Sequence, residues 1–119
     1  MSYKSEKSIK CIIVEDEPAS QKVLEHFIRA HESLNLESAF FNASDAFEYL
    51  QENKNIDLLF LDINMPGENG MTFYKRLINP PQVIFTTAYA EFAVEGFDLN
   101  ATDYLLKPIA HSRFIKSID

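Results

Sequence analysis

The sequence predicts an α/β domain in which a doubly wound parallel sheet carries helices on both faces. Short continuous apolar runs alternate with segments of helix period along almost the whole chain. The runs are bounded by charged or turn-forming residues, as strands buried on both faces require. The chain of 119 residues, 46% of them hydrophobic, is the size of one ordinary domain with a real core.

Residues 1–8 read as a polar N-terminal extension and residues 9–119 as the domain. Cys11-Ile12-Ile13-Val14 is the first buried strand. Pro18 suits the first turn of a helix, and Val23, Leu24, Phe27 and Ile28 form its apolar stripe to about His31. Leu36 to Phe41 reads as the second strand. Asn42 is a good N-cap for a helix with Ala43, Ala46, Phe47 and Leu50 on one face. Leu58-Leu59-Phe60-Leu61 is the third strand and delivers Asp62 at its end. Pro66, Gly67 and Gly70 punctuate a loop before a helix carrying Tyr74, Leu77 and Ile78, which Pro80-Pro81 breaks. Val83-Ile84-Phe85 leads to Thr86-Thr87, and Ala90, Ala93, Val94 and Phe97 make another helical stripe. Tyr104-Leu105-Leu106 is a short fifth strand ended by Lys107-Pro108, and Phe114, Ile115 and Ile118 begin a last helix. Five βα units in series imply right-handed crossovers and, for five strands, the flavodoxin-like order 2-1-3-4-5.

Composition narrows the function. The net charge is -7, and the eleven Lys and Arg are scattered, so a nucleic-acid footprint is not expected on this chain. Cys11 is the only cysteine, which excludes an intramolecular disulfide and reads as core. No apolar segment reaches the ~20 residues of a membrane span, so no membrane partner is expected. The polar start has no signal-peptide pattern, and a cytoplasmic location is expected.

In open α/β sheets ligands bind outside the carboxyl ends of the strands, at the switch point between strands 1 and 3. The ends of strands 1, 3, 4 and 5 carry Glu15-Asp16, Asp62, Thr86-Thr87 and Lys107. Gathered carboxylates need a counter-charge. Mg²⁺ answers that need, as a hard cation that takes oxygen ligands, among which the backbone carbonyl of Asn64 could stand. No paired histidines or cysteines offer a transition-metal site. Lys107 supplies a point charge and Thr87 a hydroxyl. No Ser or Cys nucleophile with a neighbouring histidine is evident, whereas a carboxylate nucleophile, a cation site, a hydroxyl and an ammonium are the parts of phosphoryl transfer. Taken singly, each acid could equally cap a helix and Lys107 could be solvated surface. Their joint occurrence at four strand ends is the informative feature.

These stretches resemble the receiver domain of two-component response regulators: Ile12 to Pro18, Leu59 to Pro66 with Gly70, Phe85-Thr86-Thr87-Ala88, and Asp103 to Pro108. The resemblance implies that Glu15 and Asp16 are the acidic pair for Mg²⁺, with the Asn64 carbonyl, and that Asp62 is the phosphoacceptor. It makes Thr87 the switch hydroxyl, with Thr86 pointing away, and Lys107 the conserved lysine, preceding a cis bond to Pro108. Pro66 and Gly70 become structural positions, and Tyr104 the aromatic that turns when Thr87 moves. The implied donor is a sensor histidine kinase. The implied output is a changed face formed by residues 90–97, the Tyr104 strand and the last helix, which dimerises on phosphorylation. Phe92 is a candidate for that face. Tyr89, two residues after Thr87, is expected to shield the phosphoryl group.

Phe92 to Phe97 and Ala101-Thr102-Asp103-Tyr104 are similar to the LytTR/AlgR-type branch, whose receivers precede a DNA-binding domain. Such an output domain is absent from this sequence, and the last helix looks cut short, so the chain reads as the receiver of a longer regulator. Two rivals are an enzyme that also uses a strand-end Asp, Mg²⁺, a Thr and a Lys, and a binding module on the same fold. A phosphohydrolase of the haloacid dehalogenase kind usually has a second acid two residues after its nucleophile, where this chain has Asn64. A flavodoxin-like binding module would not need all five polar residues, and no Gly-rich phosphate loop is evident.

Overall fold

The computed structural model describes residues 8–89 and 101–118. The elements in order are β1 (Ile9–Val14), α1 (Pro18–Ala30), β2 (Leu34–Phe40), α2 (Ala43–Glu52), β3 (Leu58–Asp62), α3 (Gly70–Lys75), β4 (Gln82–Thr87), β5 (Asp103–Leu106) and α4 (His111–Ile118). The strands form one parallel sheet in the order β2-β1-β3-β4-β5. The stripe expected at Ala90, Ala93, Val94 and Phe97, together with Phe92, lies outside the described residues.

Strand side chains alternate between two cores, as the two-residue period demands. Ile12, Val14, Leu59, Leu61, Val83 and Phe85 face a cluster that includes Ala43 and Ala46 of α2 and Met71 and Phe73 of α3. Cys11, Ile13, Leu58, Phe60 and Ile84 face the other side, against Leu24 and Ile28 of α1 and Phe114 of α4. Burial, followed by the charges of Glu37 and Asp57, raises the Cys11 thiol to about 12, which makes it an inert core residue. Asn42 caps α2 by accepting from the Asp45 N–H at 2.8 Å, and Pro18 occupies the first turn of α1.

Three local readings shift. β2 starts at Leu34 rather than Leu36, because its edge pairs along the full length of β1 and Leu34 lies opposite Ile9. Its end at Phe40 leaves Phe41 exposed. Helix α3 stops at Lys75, short of Leu77 and Ile78, and Ile78 is 87% exposed. The residue before a proline avoids helical backbone, and Asn79, before Pro80, takes the left-handed value φ 53°. Two turn bonds, Arg76 N–H to Phe73 O and Leu77 N–H to Tyr74 O, close the helix ahead of it. On α1 the stripe is rotated: Val23 is 41% exposed and Gln21 is buried beside Leu24 and Ile28.

Candidate functional site

Parallel register brings the polar strand ends level. Val14 pairs with Leu61, Asp62 with Thr86, and Thr87 with Leu106. The residues that follow β1 and β5, Glu15 and Lys107, therefore reach the same edge as Asp62 and Thr87. Glu15, Asp62 and Thr87 are buried there, and Asp16 is half-buried.

One carboxylate oxygen from each of Glu15, Asp16 and Asp62 lies within 4.8 Å of the others. Lys107 Nζ stands 2.9 Å from Glu15 Oε1 and 3.4 Å from Asp62 Oδ2. Burial first, and the Glu15 charge second, raise Asp62 from 3.8 to about 7. Lys107 opposes that rise, while hydrogen bonds shared with Glu15 and Asp16 favour the proton. For Lys107 itself burial works against the charge, but the hydrogen bond with Glu15 and the charges of Asp62 and Glu15 outweigh it, and its pKa is raised. Among the described residues the three carboxylates thus have more negative charge than Lys107 alone offsets. The site's donors are all hard oxygens, a set that fits a Mg²⁺-class ion and not a soft metal.

Main-chain groups aim the acids. The Glu17 N–H donates to Glu15 Oε2 at 3.2 Å, and the Asn64 N–H donates to Asp62 Oδ1 at 3.1 Å. The loop after β3 returns at once to the strand, where the Gly70 N–H donates to Ile63 O at 2.8 Å. A Cβ on Gly70 would run into the Asp62 carbonyl oxygen and stand 3.0 Å from Asp62 C. Asn69 then caps α3, its Oδ1 accepting from the Met71 N–H at 2.7 Å. Pro66 is exposed in this loop. The Thr87 hydroxyl donates to Asn64 Oδ1 at 3.0 Å and accepts from the Tyr89 N–H at 3.1 Å. Thr86 is buried one position away, on the opposite strand face. The Tyr104 ring stacks on Phe85, centroids 5.4 Å apart. The Lys107 N–H donates to Thr87 O at 2.8 Å, and the Lys107–Pro108 bond is cis.

The polar residues expected at the strand ends therefore come together: Glu15, Asp16, Asp62, Asn64, Thr87 and Lys107. Sequence reasoning missed Gln21. Its Nε2 donates to Glu15 O at 3.2 Å and Phe40 O at 3.0 Å, tying α1 to the carboxyl ends of β1 and β2. The signal was present, since Gln21, Leu24 and Ile28 share one helix face. Gln21→Leu would leave two carbonyls without this donor. Urea unfolding is expected to show a loss of about 1–2 kcal/mol.

Among the described residues, no helix is long and apolar enough to cross a membrane. A family profile for the response regulator receiver domain matches residues 11–119. Protein MrkE of Klebsiella pneumoniae is 38% identical over 117 residues, covering 96% of this chain and 43% of MrkE. Transcriptional regulatory protein YpdB of Escherichia coli (strain K12) is 39% identical over 108 residues, covering 88% of this chain and 44% of YpdB. The chain thus spans less than half the length of these relatives. The crystal structure of the MrkE response regulatory domain superposes with a TM-score of 0.83 at 39% identity, covering 92% of each chain. With fold, polar edge and relatives in agreement, the chain belongs to the response regulator receiver domains of two-component systems.

Proposed function

We propose that Asp62 accepts a phosphoryl group from a sensor histidine kinase in a Mg²⁺-dependent reaction, and that the chain is a phosphorylation-controlled switch rather than a turnover enzyme. The observation that carries this reading is the set around buried Asp62: two further carboxylates, one ammonium and one hydroxyl, drawn from four strand ends. Glu15, Asp16, Asp62 and the Asn64 carbonyl are the groups to hold Mg²⁺. The bound ion would neutralise the acids and the charge on the phosphoryl oxygens.

Asp62 in its ionised form attacks phosphorus through one carboxylate oxygen. The P–N bond to the kinase imidazole breaks, the nitrogen keeps the electron pair, and an acyl phosphate forms on Asp62. Lys107, already 3.4 Å from Asp62 Oδ2, is placed to pair with a phosphoryl oxygen. The Thr87 hydroxyl donates a hydrogen bond to another. Moving Thr87 opens room for Tyr104 to turn, and the change reaches the face that β5 and α4 present. That face is the proposed phosphorylation-dependent dimer contact. Residues 9–119 act as the receiver of a longer cytoplasmic regulator, with a LytTR-type DNA-binding output in this reading. The greater length of MrkE and YpdB and the name of YpdB, a transcriptional regulatory protein, support it.

Intact mass after incubation with acetyl phosphate and Mg²⁺ tests the core of this reading. One added phosphoryl group is expected, absent from Asp62→Asn and from an EDTA control. An adduct that persists in Asp62→Asn would refute the assignment. Tyr89 stands two residues after Thr87, donates its N–H to the Thr87 hydroxyl and is 51% exposed. Tyr89→Ala is expected to shorten the acyl-phosphate half-life about threefold, the effect of removing roughly 0.7 kcal/mol of barrier. Phosphate release followed by mass would show it, and an unchanged half-life would rule out shielding.

A further inference from the structure

Asp62, Asn64, Thr87 and Tyr89 form a hydrogen-bonded chain that the roles above leave unused. The Asn64 N–H holds Asp62 Oδ1 at 3.1 Å, while the Asn64 side chain holds the Thr87 hydroxyl at 3.0 Å. The Tyr89 N–H, at 3.1 Å, supplies the Thr87 oxygen with a donor. A threonine hydroxyl has a single proton to give. Here that proton is committed to Asn64 Oδ1 and is therefore not available to a second acceptor.

We propose that the Asn64 side chain is a resting-state latch: its amide oxygen takes the one proton that Thr87 must redirect to the phosphoryl group, and so sets the threshold of the switch. This rests on Asp62 being the phosphoacceptor. The chemistry of an amide suits the task. A hydrogen bond to an anionic phosphoryl oxygen is stronger than one to a neutral amide oxygen, so the exchange runs forward once Asp62 is modified. A carboxylate at position 64 would compete on equal terms with the phosphoryl oxygens and add an acid beside three others. An aliphatic side chain would remove the acceptor altogether. Asn64 is exposed while Thr87 is buried, so the amide can turn to water when it is released. One residue thus holds the proposed phosphoacceptor through its main chain and the switch hydroxyl through its side chain.

A double-mutant cycle with beryllofluoride, a phosphoryl mimic, in the presence of Mg²⁺ tests the latch. Asn64→Ala keeps the backbone carbonyl and N–H and deletes only the amide. It is expected to tighten beryllofluoride binding about 3- to 10-fold with Thr87 present, the scale of one neutral hydrogen bond. In a Thr87→Val background the same substitution is expected to change nothing. Equal effects in both backgrounds, or none with Thr87 present, would overturn the proposal. A second readout needs no ligand: side-chain couplings by NMR should show one Thr87 rotamer in the parent chain and averaging in Asn64→Ala. A single rotamer in both would also overturn it. A parent chain that binds no beryllofluoride instead sinks the phosphoacceptor reading, and the latch's role with it. That result is distinct from failure of the latch alone, in which parent and Asn64→Ala bind equally well.

Discussion

Asp62→Asn is expected to unfold roughly 5–10 °C above the parent chain at pH 8 without divalent cations, and at nearly the same temperature as the parent near pH 4. The reason is the proton on Asp62. The folded chain retains it to about pH 7, whereas the ordinary carboxyl gives it up near 3.8. Between those values the folded state binds more protons than the unfolded state, so stability falls as pH rises through the window. Above it, the buried carboxylate faces Glu15 and Asp16 with Lys107 as the cation within ion-pair distance. The linkage corresponds to as much as about 4 kcal/mol. Lys107 loses a partner in the variant, and a net gain on the order of 2 kcal/mol is expected. Thermal unfolding followed by circular dichroism at both pH values checks this. Added Mg²⁺ should raise the parent's midpoint and leave the variant's nearly unmoved. A variant less stable than the parent at pH 8 would show that Lys107 fully compensates the acids.

Gly70→Ala should be the most damaging small substitution near the site. The new methyl group would fall on the Asp62 carbonyl oxygen, with Ile63 Cα also only 3.0 Å away. These are backbone atoms that cannot rotate aside, so α3 and the end of β3 must part. A loss of about 3 kcal/mol or more is expected in urea unfolding, with phosphoryl uptake from acetyl phosphate falling in parallel. Gly67→Ala is the contrast. Nothing lies within 4 Å of its Cβ, but φ is 88°. Its expected loss is the ~1–2 kcal/mol of a left-handed alanine, with uptake preserved. Equal behaviour of the two variants would contradict the close approach at Gly70.

The sheet was readable because each central strand is a run of apolar residues long enough to bury both faces. The strand-end polar residues were readable because parallel order sends them to one edge. What could not be read depended on backbone groups. Periodicity placed Val23 inside α1, but Gln21 turns inward to donate to the carbonyls of Glu15 and Phe40, and Val23 turns outward. The end of α3 was placed too late because Pro80-Pro81 acts through Asn79 and the turn before it. Asn64 was read only for its carbonyl. Its side-chain bond to Thr87 joins the loop after β3 to the end of β4, which no local pattern relates.

The ion pair between Lys107 and Glu15 also has a bearing on vectorial synthesis. β1 and β5 are not neighbours; β3 and β4 lie between them. A chain emerging from the ribosome therefore presents Glu15, Asp16 and then Asp62 long before the residue that answers their charge. Until β5 has docked beside β4, the nascent sheet carries its acids without Lys107, the cation that pairs with them among the described residues. The repulsion discourages early closure of the crevice and is relieved when the last strand is in place. The ion pairs of Lys107 with Glu15 and Asp62 thus favour the whole sheet over its N-terminal part.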